Sequence, residues 1–179
     1  MNGQAMGSST VASTVALAGA GDEAAFARLV ATYHADMARV AFVACGDREL
    51  ADDAVQAAWL VAWRKLRSLR DPERVRPWLL AVTANEARQL VRRRHGPVVE
   101  IDVEAPGDKR NDPSAGIERL DLRRALAHLS ADDRAILAMH YLVDLSSDEL
   151  GAAVGTSAST ARTRLSRAVD RLRKELRDG

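Results

Sequence analysis

Between residues 95 and 117 the chain loses the helical periodicity that it shows on either side. His95-Gly96-Pro97 closes one periodic region, and Pro106-Gly107 and Pro113-Ser114 punctuate the segment after it. Proline and glycine at this density end helices and open turns. The segment is also acidic: Glu100, Asp102, Glu104, Asp108 and Asp112 stand against Lys109 and Arg110, five charges against two over residues 96–117. Such a stretch buries too little apolar surface to fold by itself. Residues 96–116 therefore read as a flexible acidic linker, and the chain as two small helical domains, residues 21–95 and 117–179, in an all-α protein.

In the first half Phe26, Leu29, Val30, Tyr33, Met37, Val40, Ala41 and Ala44 recur at i, i+3, i+4 and i+7, which predicts an amphipathic helix from near Asp22. A second runs from about Arg48 to Leu69, with Val55, Trp59, Ala62, Trp63 and Leu66 on its inner face. Pro72 and Pro77 mark a loop and a helix start, because proline fits a first turn and breaks an interior. A third helix continues from Trp78 to about Arg94, and Phe26, Trp59, Trp63, Trp78 and Leu79 are expected to share the core of this three-helix-type bundle.

The second half opens near Ile117 with Leu120, Leu122, Ala125, Leu126 and Leu129, and a further helix covers Arg134 to Leu142. Next comes Leu145-Ser146-Ser147-Asp148-Glu149-Leu150, with serine at an N-cap, glutamate three residues on as a capping box, and two leucines placed as a hydrophobic staple. The short helix it opens ends at Gly155, and Thr156-Ser157-Ala158-Ser159 offers hydroxyl caps for a last helix. Two helices joined by a tight glycine-containing turn form a helix-turn-helix. In the last helix Ala161, Leu165, Ala168, Val169, Leu172 and Leu176 share one face, while Thr160, Arg164, Arg167, Arg171 and Lys174 line the other. That is the layout of a recognition helix, whose first residues meet base edges while later cations hold phosphates.

The net charge of +1 conceals blocks of opposite sign. Residues 21–53 carry three arginines against seven acids, residues 64–94 ten basic residues against three acids, residues 118–155 four against seven, and residues 156–177 seven against two. Two basic surfaces separated by acidic ones suit contact with a polyanion at two places. With aromatics at 4% the composition disfavours strands, and no stretch approaches the roughly 18 apolar residues of a membrane span. No Lys or Arg precedes Arg28, so residues 11–20 lack the basic start of a secretory signal, and residues 1–20 read as a flexible tail. A lone cysteine, Cys45, forms no intramolecular disulfide and suits a buried filler in a reducing, cytoplasmic protein.

Residues 22–177 resemble a bacterial sigma factor of the extracytoplasmic function (ECF) group of the sigma-70 family. Asp53-Ala54-Val55-Gln56 with Trp59, Ala62 and Trp63 is similar to region 2.2; Arg76-Pro77-Trp78-Leu79, Asn85 and Arg92-Arg93-Arg94 to regions 2.3 and 2.4; Leu129, Arg134, Leu145-Ser146, Glu149-Leu150, Gly155, Thr160, Arg164-Leu165 and Arg167-Ala168 to region 4. The chain departs from the pattern at Ala57, where glutamate is common, at Ala81, and at Ser159-Thr160-Ala161, where the family often has Gly-Thr-Val. The resemblance implies a non-enzymatic initiation subunit without cofactors. Its implied partners are core RNA polymerase, promoter DNA and an anti-sigma factor.

On that resemblance Asp52, Asp53 and Gln56 are expected to meet core polymerase. Asn85, Arg76, Arg88, Arg92, Arg93 and Arg94 are expected at the minus-10 element, where an amide offers a donor and an acceptor to a base that has left the stack and arginines track the strand. Residues 68–76 would wall a pocket for that base. Ser159, Thr160, Arg162, Thr163, Arg164 and Arg167 are expected at the minus-35 element. A one-component helix-turn-helix regulator is the alternative, and it would require a dimer on a two-fold operator. A helical enzyme using His34, Asp36, Asp52, His128 or His140 is disfavoured, since the histidines lie in neither HExxH nor ExxH spacing.

Overall fold

The computed structural model describes residues 8–95 and 113–178, all helical or in short connections. The helices are α1 (Ser8–Gly19), α2 (Glu23–Cys45), α3 (Arg48–Lys65), α4 (Val75–His95), α5 (Pro113–Ala127), α6 (Ala131–Tyr141), α7 (Ser147–Ala153) and α8 (Ala158–Asp178), with 3-10 turns at Leu66–Ser68 and Pro72–Arg74. Residues 96–112 of the expected linker lie outside the described residues, and residues 113–116 already belong to α5.

Local chemistry sets the boundaries of the first module. Asp22 and Asp47 cap α2 and α3 by accepting from the backbone N–H groups of Ala25 at 2.7 Å and Leu50 at 2.8 Å. Gly46, at φ 72°, ends α2 in the left-handed region, which glycine adopts without steric cost. α2, α3 and α4 then pack around Leu29, Met37, Val40, Val55, Leu79 and Leu80, with alanines 25, 41, 44, 51, 54, 58 and 62 all buried. These small side chains bring the helices close together and leave no central space for an indole. The expected aromatic core is therefore displaced to the edge: Phe26 stacks edge-on against Trp59 and Trp63 at 5.5 and 4.8 Å, and Trp63 stays 41% exposed.

The expected flexible tail is corrected over residues 8–19, which form α1. Val15 and Ala18 are buried against α2 and the two 3-10 turns, and Gly19 lets α1 approach the backbone of Arg67. The segment carries no charge, and its apolar residues make one usable helix face.

In the second module the capping box forms as expected. Ser146 Oγ accepts from the N–H of Glu149, whose carboxylate accepts from the N–H of Ser146, and Leu145 and Leu150 are both buried. Ser157 caps α8 by accepting from the N–H of Thr160 at 3.2 Å. Gly155 turns between the two helices at φ 67°. Gly151 has a different role: a Cβ there would lie 2.9 Å from the Thr156 carbonyl oxygen, so only glycine lets α7 meet the start of α8 this closely.

The two modules are not merely tethered. α6 packs on α2, and α4 packs on both α6 and α7, so one continuous apolar cluster runs through both. α6 and α7 thus complete part of their apolar packing on α2 and α4 rather than within their own module.

Candidate nucleic-acid interface

On α4, Asn85 and Arg88 lie one turn apart on an exposed face, and an Arg88 Nη1–H donates to Asn85 Oδ1 at 3.3 Å. The Arg88 Nε–H also donates to Asp132 on α6 at 2.5 Å. Arg92 and Arg93 continue on the surface without a partner among the described residues, and Arg94 pairs with Asp47 at 3.1 Å.

Arg76 does not join this group. It sits at the opposite end of α4, where its guanidinium donates to Asp36 at 3.1 and 2.9 Å and to the Val143 carbonyl. Asp36 and Arg76 in turn surround Tyr33, whose hydroxyl is pushed above its ordinary pKa by burial, with Arg76 opposing and Asp36 reinforcing the shift.

On α8, Ser159, Thr160, Arg162, Thr163, Arg164 and Arg167 are all exposed. None of these arginines forms an ion pair among the described residues, whereas Arg171, two turns below Arg164, pairs with Asp133 at 2.9 Å. Arg164 and Arg167 line a cleft of about 690 Å³, and its facing wall carries Asn85 and Arg88. The two faces assigned to different DNA elements thus confront each other.

Asp52, Asp53 and Gln56 are exposed on α3, as expected. Asp52 borders a second, apolar trough of about 760 Å³, lined by Phe42 and Val43 of the first module and by Leu122, Tyr141, Leu142 and Leu176 of the second. Those last four are large hydrophobic side chains left 41–61% exposed, in a trough spanning both modules.

Arg134 is the residue whose role the sequence hid. It is buried on α6, and its guanidinium makes two bonds to the Ala44 carbonyl at 3.0 and 2.7 Å and one to the Leu129 carbonyl at 2.7 Å. α2 has no basic residue in its last turn, so the cation at its C-terminus comes from the other module. Burial lowers the Arg134 pKa, with Cys45 and Asp133 acting the other way. Burial likewise pushes the Cys45 thiol up to about 12. An arginine on the apolar stripe Arg134, Leu137, Ala138 and Tyr141 was the available signal.

His34 accepts from the Trp59 indole N–H at 3.3 Å, His140 meets the Leu145 carbonyl, and no group of three or more potential ligands occurs among the described residues. Nor is any helix among them long and apolar enough to cross a membrane.

Two family profiles match: Sigma-70 region 2 over residues 29–96 and Sigma-70, region 4 over residues 119–172. The chain is 32% identical to ECF RNA polymerase sigma factor SigL of Mycobacterium tuberculosis, over 87% of its own length and 92% of that protein. It is 30% identical to the probable RNA polymerase sigma factor RfaY of Xanthomonas campestris, over 89% of this chain, and it spans 42% of that relative. The fold is similar to that of CnrH in complex with the cytosolic domain of CnrY, with a TM-score of 0.69 and 25% identity, covering 94% of this chain and 97% of CnrH.

Proposed function

Because the chain belongs to the ECF sigma factors of RNA polymerase, we propose that its two modules divide promoter recognition, α4 reading the minus-10 element and α8 the minus-35 element. The observation that carries this is the α8 face, where hydroxyl residues and three arginines without ion pairs among the described residues stand exposed just behind a capped helix-turn. Thr160, Arg164 and Arg167 lie toward the helix start, where a recognition helix in a major groove touches base edges. Ser159, Arg162 and Thr163 flank them toward the phosphates.

On α4 the Asn85 amide offers a donor and an acceptor to an extruded base, and its contacts to Glu86 and Arg88, at 3.5 and 3.3 Å, are long enough to be exchanged. Arg88, Arg92, Arg93 and Arg94 follow the separated strand by phosphate contact. Arg76 acts from beneath, as an anchor of the α4 start rather than as a strand contact. Asp52, Asp53 and Gln56 serve core polymerase as an acidic, hydrogen-bonding helix surface. The protein supplies no covalent chemistry: unstacking costs a few kcal/mol per step, and holding the extruded base offsets it.

An anti-sigma factor is the expected regulator, and the apolar trough across both modules is its proposed seat. CnrH, which has this fold, is seen in complex with the cytosolic domain of CnrY. Arg39, Arg48 and Arg173 border the trough, so the matching partner is an amphipathic segment with acidic flanks.

The test is transcription with core polymerase, this chain and a randomised promoter library. The wild type is expected to enrich two spaced elements. Asn85→Ala should erase selection at the minus-10 element only, and Arg164→Ala with Arg167→Ala selection at the minus-35 element only. A library with no enrichment would sink the proposal.

A further inference from the structure

We propose that α1 is a positioning element for minus-10 reading, and that Gly19 sets the place of the segment between α3 and α4. This rests on the minus-10 reading of α4 set out above, with residues 68–76 walling the pocket of the extruded base. Residues 66–74 are two 3-10 turns, in which the Leu69 N–H donates to the Leu66 carbonyl at 3.0 Å and the Arg74 N–H to the Asp71 carbonyl at 3.1 Å. Single 3-10 turns have poor hydrogen-bond geometry and hold their place by what packs on them. Arg67, Ser68, Arg70, Asp71, Glu73 and Arg74 all face water. The segment runs straight into α4, and Asn85 follows Val75 by ten residues, about 15 Å of helix. A few nucleotides of single strand cover both.

The support for these turns is α1. It packs on both of them, Val15, Ala18 and Leu66 are buried, and Leu69 and Pro72 are half-buried. At one point the approach is backbone to backbone: a Cβ at Gly19 would stand 3.2 Å from Arg67 Cα and 3.4 Å from the Arg67 nitrogen. α1 is itself fixed to α2. Gly21 reverses the chain at φ 98°, and the N–H groups of Ala20 and Asp22 donate to the Ala16 and Leu17 carbonyls, both at 3.0 Å. The frame of α2 is thereby passed through α1 to the turns. Residues 8–19 carry no charged side chain, so α1 attracts no phosphate and acts on the strand only through the position of the turns.

The experiment uses the full chain with core polymerase and the randomised promoter library. Gly19→Leu drives a side chain into the Arg67 backbone, Gly19→Ala is its milder form, and Ala16→Leu adds a similar side chain on the exposed side of α1. Amide hydrogen exchange over residues 66–74, measured without DNA, reports release of the turns. Gly19→Leu is expected to raise that exchange and to cut base preference at one minus-10 position about tenfold, with minus-35 selection held within about twofold. Gly19→Ala should cut the same preference about threefold with its urea midpoint unmoved, so the test survives a folding failure of the larger variant. Ala16→Leu should match the wild type. No charge changes, so the salt dependence of promoter binding should stay the same in all three.

Three results overturn the inference: minus-10 preference unchanged in the Gly19 variants, minus-10 and minus-35 selection falling together, or Ala16→Leu reproducing Gly19→Leu. Asn85→Ala is read in the same library. If it loses minus-10 selection while the Gly19 variants do not, α1 has no part in reading and the role of α4 stands.

Discussion

Nine buried alanines let α2, α3 and α4 close around their own leucines and methionine, whereas α5 to α8 leave Leu122, Tyr141, Leu142 and Leu176 partly in water along one trough. The first module completes its core internally. The second completes its own by resting α6 on α2 and α4. Among the described residues, basic side chains are divided in both: on α4 Arg76, Arg88 and Arg94 are paired and Arg92 and Arg93 are not, and on α8 Arg171 and Arg173 are paired while Arg162, Arg164 and Arg167, toward the helix start, are free of ion pairs. A self-sufficient module can carry a dependent one, and the dependent one keeps its reading face uncommitted.

Given that asymmetry, equal deletions in the two cores will have unequal reach. Leu29 and Leu150 are both fully buried leucines, and truncating either to alanine should cost about 2–5 kcal/mol. Leu29→Ala is expected to take down both modules, because α6 loses its support. Leu150→Ala should unfold only residues 131–178. Hydrogen exchange followed by mass spectrometry separates the cases, and loss of protection in α2–α4 of Leu150→Ala would break the comparison.

Two glycines sharpen it at a smaller scale. At Gly151 a Cβ meets the Thr156 carbonyl oxygen at 2.9 Å and the Ala158 nitrogen at 3.0 Å, both backbone atoms. Gly151→Ala should therefore destabilise the second module by about 1–3 kcal/mol through overpacking. At Gly19 the nearest atom is Arg67 Cα at 3.2 Å, at the edge of a short turn that can shift. There the helix propensity gained from alanine, about 1 kcal/mol, offsets the crowding, and the midpoint in urea should hardly move.

How far these elements could be read in advance depends on the range of the forces involved. Local signals carried well: the helix starts near Asp22 and Arg48, the Ser146–Glu149 box and the periodicity of α2 and α8 are set by residues within a turn or two of each other. The exposure of Thr160, Arg164 and Arg167 on α8 came from the same periodicity. Contacts between distant segments did not carry. Nothing local announces that Arg134 meets Ala44, that Arg88 meets Asp132, or that Arg76 turns inward to Asp36. The edge position of the tryptophans was hidden for a related reason, since the space left by alanine packing depends on all three helices together.

Capping gives the next prediction, of intermediate size. Ser146→Ala removes the acceptor for the Glu149 N–H and leaves the Glu149 carboxylate with one partner fewer, at a cost of about 1 kcal/mol. The loss should appear in the second module alone, as a lower midpoint for α7 and α8 amides and weaker minus-35 selection, with minus-10 selection intact. A drop in both selections would mean that the turn supports the first module as well.

A pH-dependent effect is expected at Cys45, at the end of α2 beneath the Arg134 contact. Its folded pKa is raised to about 12, above the ordinary thiol value, so the native state keeps a proton that the unfolded chain releases. The stabilisation is complete below about pH 8.5 and is lost as the pH rises toward the folded value. At pH 9 the loss amounts to about 0.8 kcal/mol, and it should steepen to at most about 1.4 kcal/mol per pH unit. Cys45→Ala carries no such proton, so the difference between wild type and variant in urea should be flat from about pH 6 to 8 and narrow above that. If the difference stays constant to about pH 10, the thiol is solvated in the native state, and the junction between the modules is open to water where the Arg134 contact requires it to be dry.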